Sequence, residues 1–62
     1  MDAFEVLVKQ IDEKIEQLQE FVSSGRPENY EEYKKLCGEI RGLNIARGYT
    51  LDLKQRMENS DE

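Results

Sequence analysis

The 62-residue sequence has no histidine, one cysteine (Cys37), one proline (Pro27), and no apolar run longer than a few residues. Each shortage excludes something. Without an imidazole in the chain, Cys37 lacks the partner that activates a nucleophilic thiol, so Cys–His catalysis is excluded for the chain by itself. One thiol makes no internal disulfide, and without histidine or a second thiol the usual ligands of a structural zinc are missing too. The short apolar runs offer no membrane span, and the opening Met-Asp-Ala-Phe-Glu is not the basic-then-apolar start of a secretory signal. A lone thiol suits a reducing compartment, so the expected location is the cytoplasm.

Positive charge is also scarce. Nine Lys and Arg stand against fourteen Asp and Glu, for a net charge of −5, and a basic footprint for nucleic acid is absent overall. The first twenty-four residues hold six acids and two bases, while residues 25–50 hold four acids and five bases. The first segment is therefore suited to a basic surface. Arg41, Arg47, Lys54 and Arg56, with Lys34 and Lys35, give the later segment a local basic character that Glu31, Glu32, Glu39 and Asp52 dilute.

What is present is helical periodicity. Phe4, Val8, Ile11, Ile15, Leu18 and Val22 are spaced four, three, four, three, four, an unbroken heptad pattern with Leu7 in the same arc, Phe21 at its edge and Glu5, Lys9, Asp12, Glu13, Glu16 and Glu20 on the far side. Ser23, Ser24, Gly25, Arg26 and Pro27 interrupt it, and Asn29 followed three residues later by Glu32 is a helix-start signature. The spacing predicts one all-α domain over residues 1–62. Its parts are a helix over 2–23, a turn over 24–29, a helix over 30–57 antiparallel to the first, and a frayed tail over 58–62. The second helix is expected to outrun the first at its carboxyl end. A competing division ends it at Arg47, with Gly48 as the stop and Thr50 capping a short third helix.

The second helix carries two apolar faces. Tyr33, Leu36, Cys37, Ile40 and Leu43 suit packing against the first helix, with Cys37 as a small buried side chain. Gly38, Gly42, Ala46, Tyr49, Leu53 and Met57 lie on a different face, and these six are the candidate interface. A chain this short buries only about 60% of the surface it exposes when unfolded. Lacking a disulfide or a metal, it is expected to associate with itself as a four-helix bundle or to dock on another protein. The Gly38-x-x-x-Gly42 spacing occurs in membrane helix pairs, but Glu39, Arg41 and Asn44 exclude a bilayer here, and only its meaning for close packing survives. Asp12, Glu13, Glu16 and Glu20 form a carboxylate group that points away from the apolar seam and reads as a solvated face rather than a metal site. No cofactor, metal or catalytic residue is expected.

Asn29-Tyr-Glu-Glu-Tyr-Lys-Lys-Leu-Cys-Gly-Glu-Ile-Arg-Gly-Leu43, above all Tyr33-Lys34 and the Gly38–Leu43 segment, resembles short uncharacterised proteins of tailed bacteriophages. The resemblance covers about half the chain and brings no catalytic residues. It implies a minor virion component, an assembly factor or a binder of a host protein, located in the virion or the host cytoplasm. The plasmid RNA-binding Rop dimer is similar in length and layout alone. The function expected is therefore non-enzymatic protein binding, with a dimeric RNA- or DNA-binding regulator, or an acidic mimic of nucleic acid acting on a host enzyme through Asp12, Glu13, Glu16 and Glu20, as alternatives.

Overall fold

A computed structural model describes residues 1–60 as two helices, α1 (Ala3–Ser23) and α2 (Tyr30–Asn59), joined by a short turn into an antiparallel hairpin. Each helix starts on a side-chain cap. The Asp2 carboxylate accepts the Glu5 backbone N–H at 2.8 Å, and the Asn29 side-chain oxygen accepts that of Glu32, also at 2.8 Å. The Glu32 carboxylate reaches back to the Glu28 N–H at 3.4 Å, so free donors at the start of α2 are met from both directions. At the end of α1 the chain turns through Gly25, whose φ of +78° lies in the left-handed region that costs a side chain-bearing residue free energy.

The heptad stripe of α1 faces α2 as its spacing predicts. Phe4, Val8, Ile11, Leu18, Phe21 and Val22 are half-buried, and Ile15, at 8% exposure, is the one buried residue among those described. From α2, Leu36, Ile40 and Leu43 meet this stripe near the turn. Beyond Leu43 the four-three alternation goes on through Arg47, Thr50 and Lys54, all half-buried. The seam therefore changes character along its length, apolar near the turn and polar on the α2 side at the open end. There the Arg47 guanidinium donates to Asp12 at 2.7 Å and the Lys54 ammonium to Glu5 at 2.9 Å, with Asp2 at 3.6 Å. The Thr50 hydroxyl turns inward to its own helix and donates to the Ala46 carbonyl at 2.8 Å.

Several expectations change. Cys37 is exposed rather than buried on the seam, and Tyr33 is 44% exposed. Tyr33 lies about a sixth of a turn and Cys37 over a quarter of a turn off the line set by Leu36, Ile40 and Leu43, toward one flank. α2 runs without a break through Gly48, so no third helix forms, and Glu58 and Asn59, placed in the frayed tail by sequence, are helical. Asp61 and Glu62, the rest of that tail, lie outside the described residues. Because Lys54 pairs with Asp2 and Glu5 at the very start of α1, Tyr49 and Leu53 run alongside α1 rather than on an overhang, and only the last turn or so of α2 projects. Glu5, on the side of α1 read as facing solvent, sends its carboxylate across the hairpin to Lys54.

Two substitutions test this packing. Ile15→Ala should cost about 2–3 kcal/mol, a large loss for so small a core, read as a fall in the urea midpoint followed by circular dichroism. Gly48→Ala should add about 0.5–1 kcal/mol, because Gly48 is mid-helix and an added methyl meets nothing within 4 Å. Destabilisation by Gly48→Ala would show that α2 bends there in solution.

Candidate interaction surface

At 100° per residue, Gly38, Gly42, Ile45, Ala46, Tyr49 and Leu53 fall on one face of α2, centred about 130° round the helix from the seam. α1 lies on the other side, so nothing in the hairpin covers this face. Ile45 is 46% exposed, Tyr49 72% and Leu53 50%, with Met57, 52% exposed, at its edge. A methyl built on Gly38 or Gly42 meets no atom within 4 Å. Of the six interface residues expected from sequence, Gly38, Gly42, Tyr49, Leu53 and Met57 are exposed, and Ala46 is half-buried on the side toward the seam.

Sequence reasoning missed Ile45. Its signal was present, since Ile45 precedes Tyr49 by four residues and so shares its face, but the glycine spacing drew attention to Ala46 instead. The polar seam was missed for a related reason. Continuing Leu36, Ile40 and Leu43 by four and three leads to Arg47, Thr50 and Lys54, which a search for apolar residues passes over.

The opposite flank is charged. Val8 and Leu51 floor an open groove of about 400 Å³ whose walls include Glu5, Asp12, Glu16 and Lys54. Asp12 is engaged by Arg47, which removes it from the free carboxylate group expected on α1, while Glu13, Glu16 and Glu20 remain exposed. No cluster of three or more potential metal ligands occurs among the described residues, and no helix there is long and apolar enough to cross a membrane. Near the start of α2 the Tyr30 and Tyr33 rings stack with centroids 6.4 Å apart, and the neighbouring Cys37 thiol raises the Tyr33 phenol above its ordinary pKa.

At the open end the Glu5 backbone N–H holds the Asp2 carboxyl below its ordinary pKa against the opposing effect of desolvation, and Lys54 adds to the lowering. The hydrogen bond to Glu5, followed by the charges of Asp2, Glu5 and Glu58, raises Lys54. Comparison with known proteins gives no match of this chain to any family model, curated protein or solved structure.

The signs of these shifts predict a pH profile. A carboxyl depressed by folding contributes stability above its unfolded pKa and loses it as pH falls through the folded value, whereas a raised ammonium contributes below its unfolded pKa and loses it as pH rises through the folded one. The thermal midpoint should therefore be flat near neutrality, fall below about pH 4 and fall again above about pH 10. Asp2→Asn should shrink the acid-side fall and Lys54→Met the alkaline one. An acid limb unchanged in Asp2→Asn would show that the cap and the Lys54 contact contribute nothing.

Proposed function

We propose that this chain is a non-enzymatic protein-interaction module, half of a helical bundle whose α2 face, Gly38, Gly42, Ile45, Ala46, Tyr49 and Leu53 with Met57 at its edge, docks on another protein surface. One observation carries the reading. A compact chain of 7.3 kDa has about 4,200 Å² of accessible surface by the usual scaling of area with mass. This hairpin has 5047 Å². The excess, roughly 850 Å², comes from a two-rod shape 51 × 19 × 11 Å in extent, which leaves the α2 face uncovered.

The residue types agree with the area. Tyr, Leu and Met bring large contact surface at modest ordering cost, and Tyr49, Leu53 and Met57 follow one another at four-residue intervals along α2 with Ile45 beside them, although Leu7, Tyr30, Tyr33 and Leu51 are exposed elsewhere. Gly38 and Gly42 each cost about 1 kcal/mol relative to Ala inside a helix, and no contact within the hairpin offsets that cost. Nucleic-acid binding is less well supported, because Arg47 and Lys54 are taken up by Asp12 and Glu5, and Arg56 by Asp52 at 3.0 Å. The resemblance around Tyr33-Lys34 and Gly38–Leu43 suggests a phage accessory role, as a virion or assembly component or a binder of a host protein.

A photo-crosslinking residue placed at position 53, with a second variant carrying it at position 13 on the outer face of α1, tests the reading in the source cells. Discrete protein adducts should form from position 53 and be at least several-fold weaker from position 13. Adducts confined to position 13 would overturn the docking face and favour the acidic α1 surface. Adducts to nucleic acid would overturn protein binding altogether.

A further inference from the structure

The exposed face of α2 has an internal order that the proposed docking role does not require. Along the helix its residues run Gly38, Gly42, Ile45, Ala46, Tyr49, Leu53, at intervals of four, three, one, three and four. The intervals read the same in both directions, and the sizes invert. Small residues occupy the amino-terminal half and large ones the carboxyl-terminal half, with Ile45 and Ala46 side by side at the centre. A twofold rotation about an axis perpendicular to α2, passing between Ile45 and Ala46, brings every large residue level with a small one. Tyr49 falls opposite Gly42 of the second copy, Leu53 opposite its Gly38, and Ile45 opposite its Ala46.

Resting on the docking role proposed above, we propose that the occupant of this face is a second copy of the same chain, its α2 packed antiparallel against the first about a twofold axis between Ile45 and Ala46. A surface that is its own complement is what an isologous interface demands, since each copy must offer both the knob and the hole. The hole is open on the free hairpin, where the space over Gly38 and Gly42 holds no atom within 4 Å of a would-be methyl. The knobs are free as well, with Tyr49 72% and Leu53 50% exposed. At the two rims Lys35 falls level with Arg56 of the second copy, a like-charge meeting eased by the Asp52 carboxylate that already holds Arg56 at 3.0 Å.

The axis makes the test specific. In a Cys37→Ser background, Ala46→Cys places two thiols beside the twofold, within the reach of a disulfide, which needs Cα atoms no more than about 7 Å apart. Leu53→Cys places them fifteen residues apart along the pair, about 22 Å. Sedimentation equilibrium of the unmodified chain should give twice the 7.3 kDa chain mass, and mild oxidation should give a covalent dimer from Ala46→Cys and none from Leu53→Cys. Gly42→Leu should raise the dissociation constant at least tenfold while the monomer stays helical, since nothing in the hairpin opposes the added side chain. Dimers from both cysteine variants would mean parallel copies and overturn the pairing, as would an unaltered mass distribution in Gly42→Leu. A monomeric mass with no disulfide at either position would overturn the second copy as occupant. Adducts from position 53 to a different protein would then leave the docking role standing, and their absence would remove both.

Discussion

Two packed rods bury one stripe each, and everything else in this molecule follows from that limit. α1 conforms to it, with one heptad stripe inward and Glu13, Glu16 and Glu20 outward. α2 does not. Its apolar and small residues continue round the helix to a face that α1 never reaches, so the chain carries more water-excluding surface than its own fold puts away. Since the hydrophobic contribution scales with area removed from water, that surface adds little to the stability of the hairpin by itself.

The polar run of the seam is the second consequence. Where Leu36, Ile40 and Leu43 give way to Arg47, Thr50 and Lys54, contact with α1 passes from buried hydrocarbon to ion pairs that remain partly in water. Exposed pairs of this kind contribute about 0–1 kcal/mol each and weaken with salt, less than a filled apolar layer supplies. What they supply is direction. Asp12 with Arg47 and Glu5 with Lys54 fix the antiparallel register over the part of the hairpin farthest from the turn.

The fold was legible because its signals are local or periodic. The Asn29 and Glu32 cap, the left-handed Gly25 and the six-residue stripe of α1 each act through neighbours in sequence. Cys37 was misplaced because Tyr33 and Cys37 lie within one turn of the true line through Leu36 and Ile40, and residue type alone does not separate a seam position from its flank. The continuity of α2 through Gly48 was a balance of a glycine cost near 1 kcal/mol against packing on both sides of it, which periodicity does not weigh. Five of the six residues on the uncovered face of α2 were readable from the sequence. The missing one, Ile45, sits at its centre, so the inversion of sizes along that face emerges only once the face is drawn on a continuous helix.

The change of seam character sets up a gradient along the molecule. The turn end is held by hydrocarbon and the open end by charge, so thermal fluctuation opens the hairpin from its termini, where Asp2 and Lys54 meet, toward Ile15. Tyr49 and Leu53 ride on that looser end. Because both project from the face that α1 does not reach, parting of the helices at this end leaves their exposure on α2 unchanged.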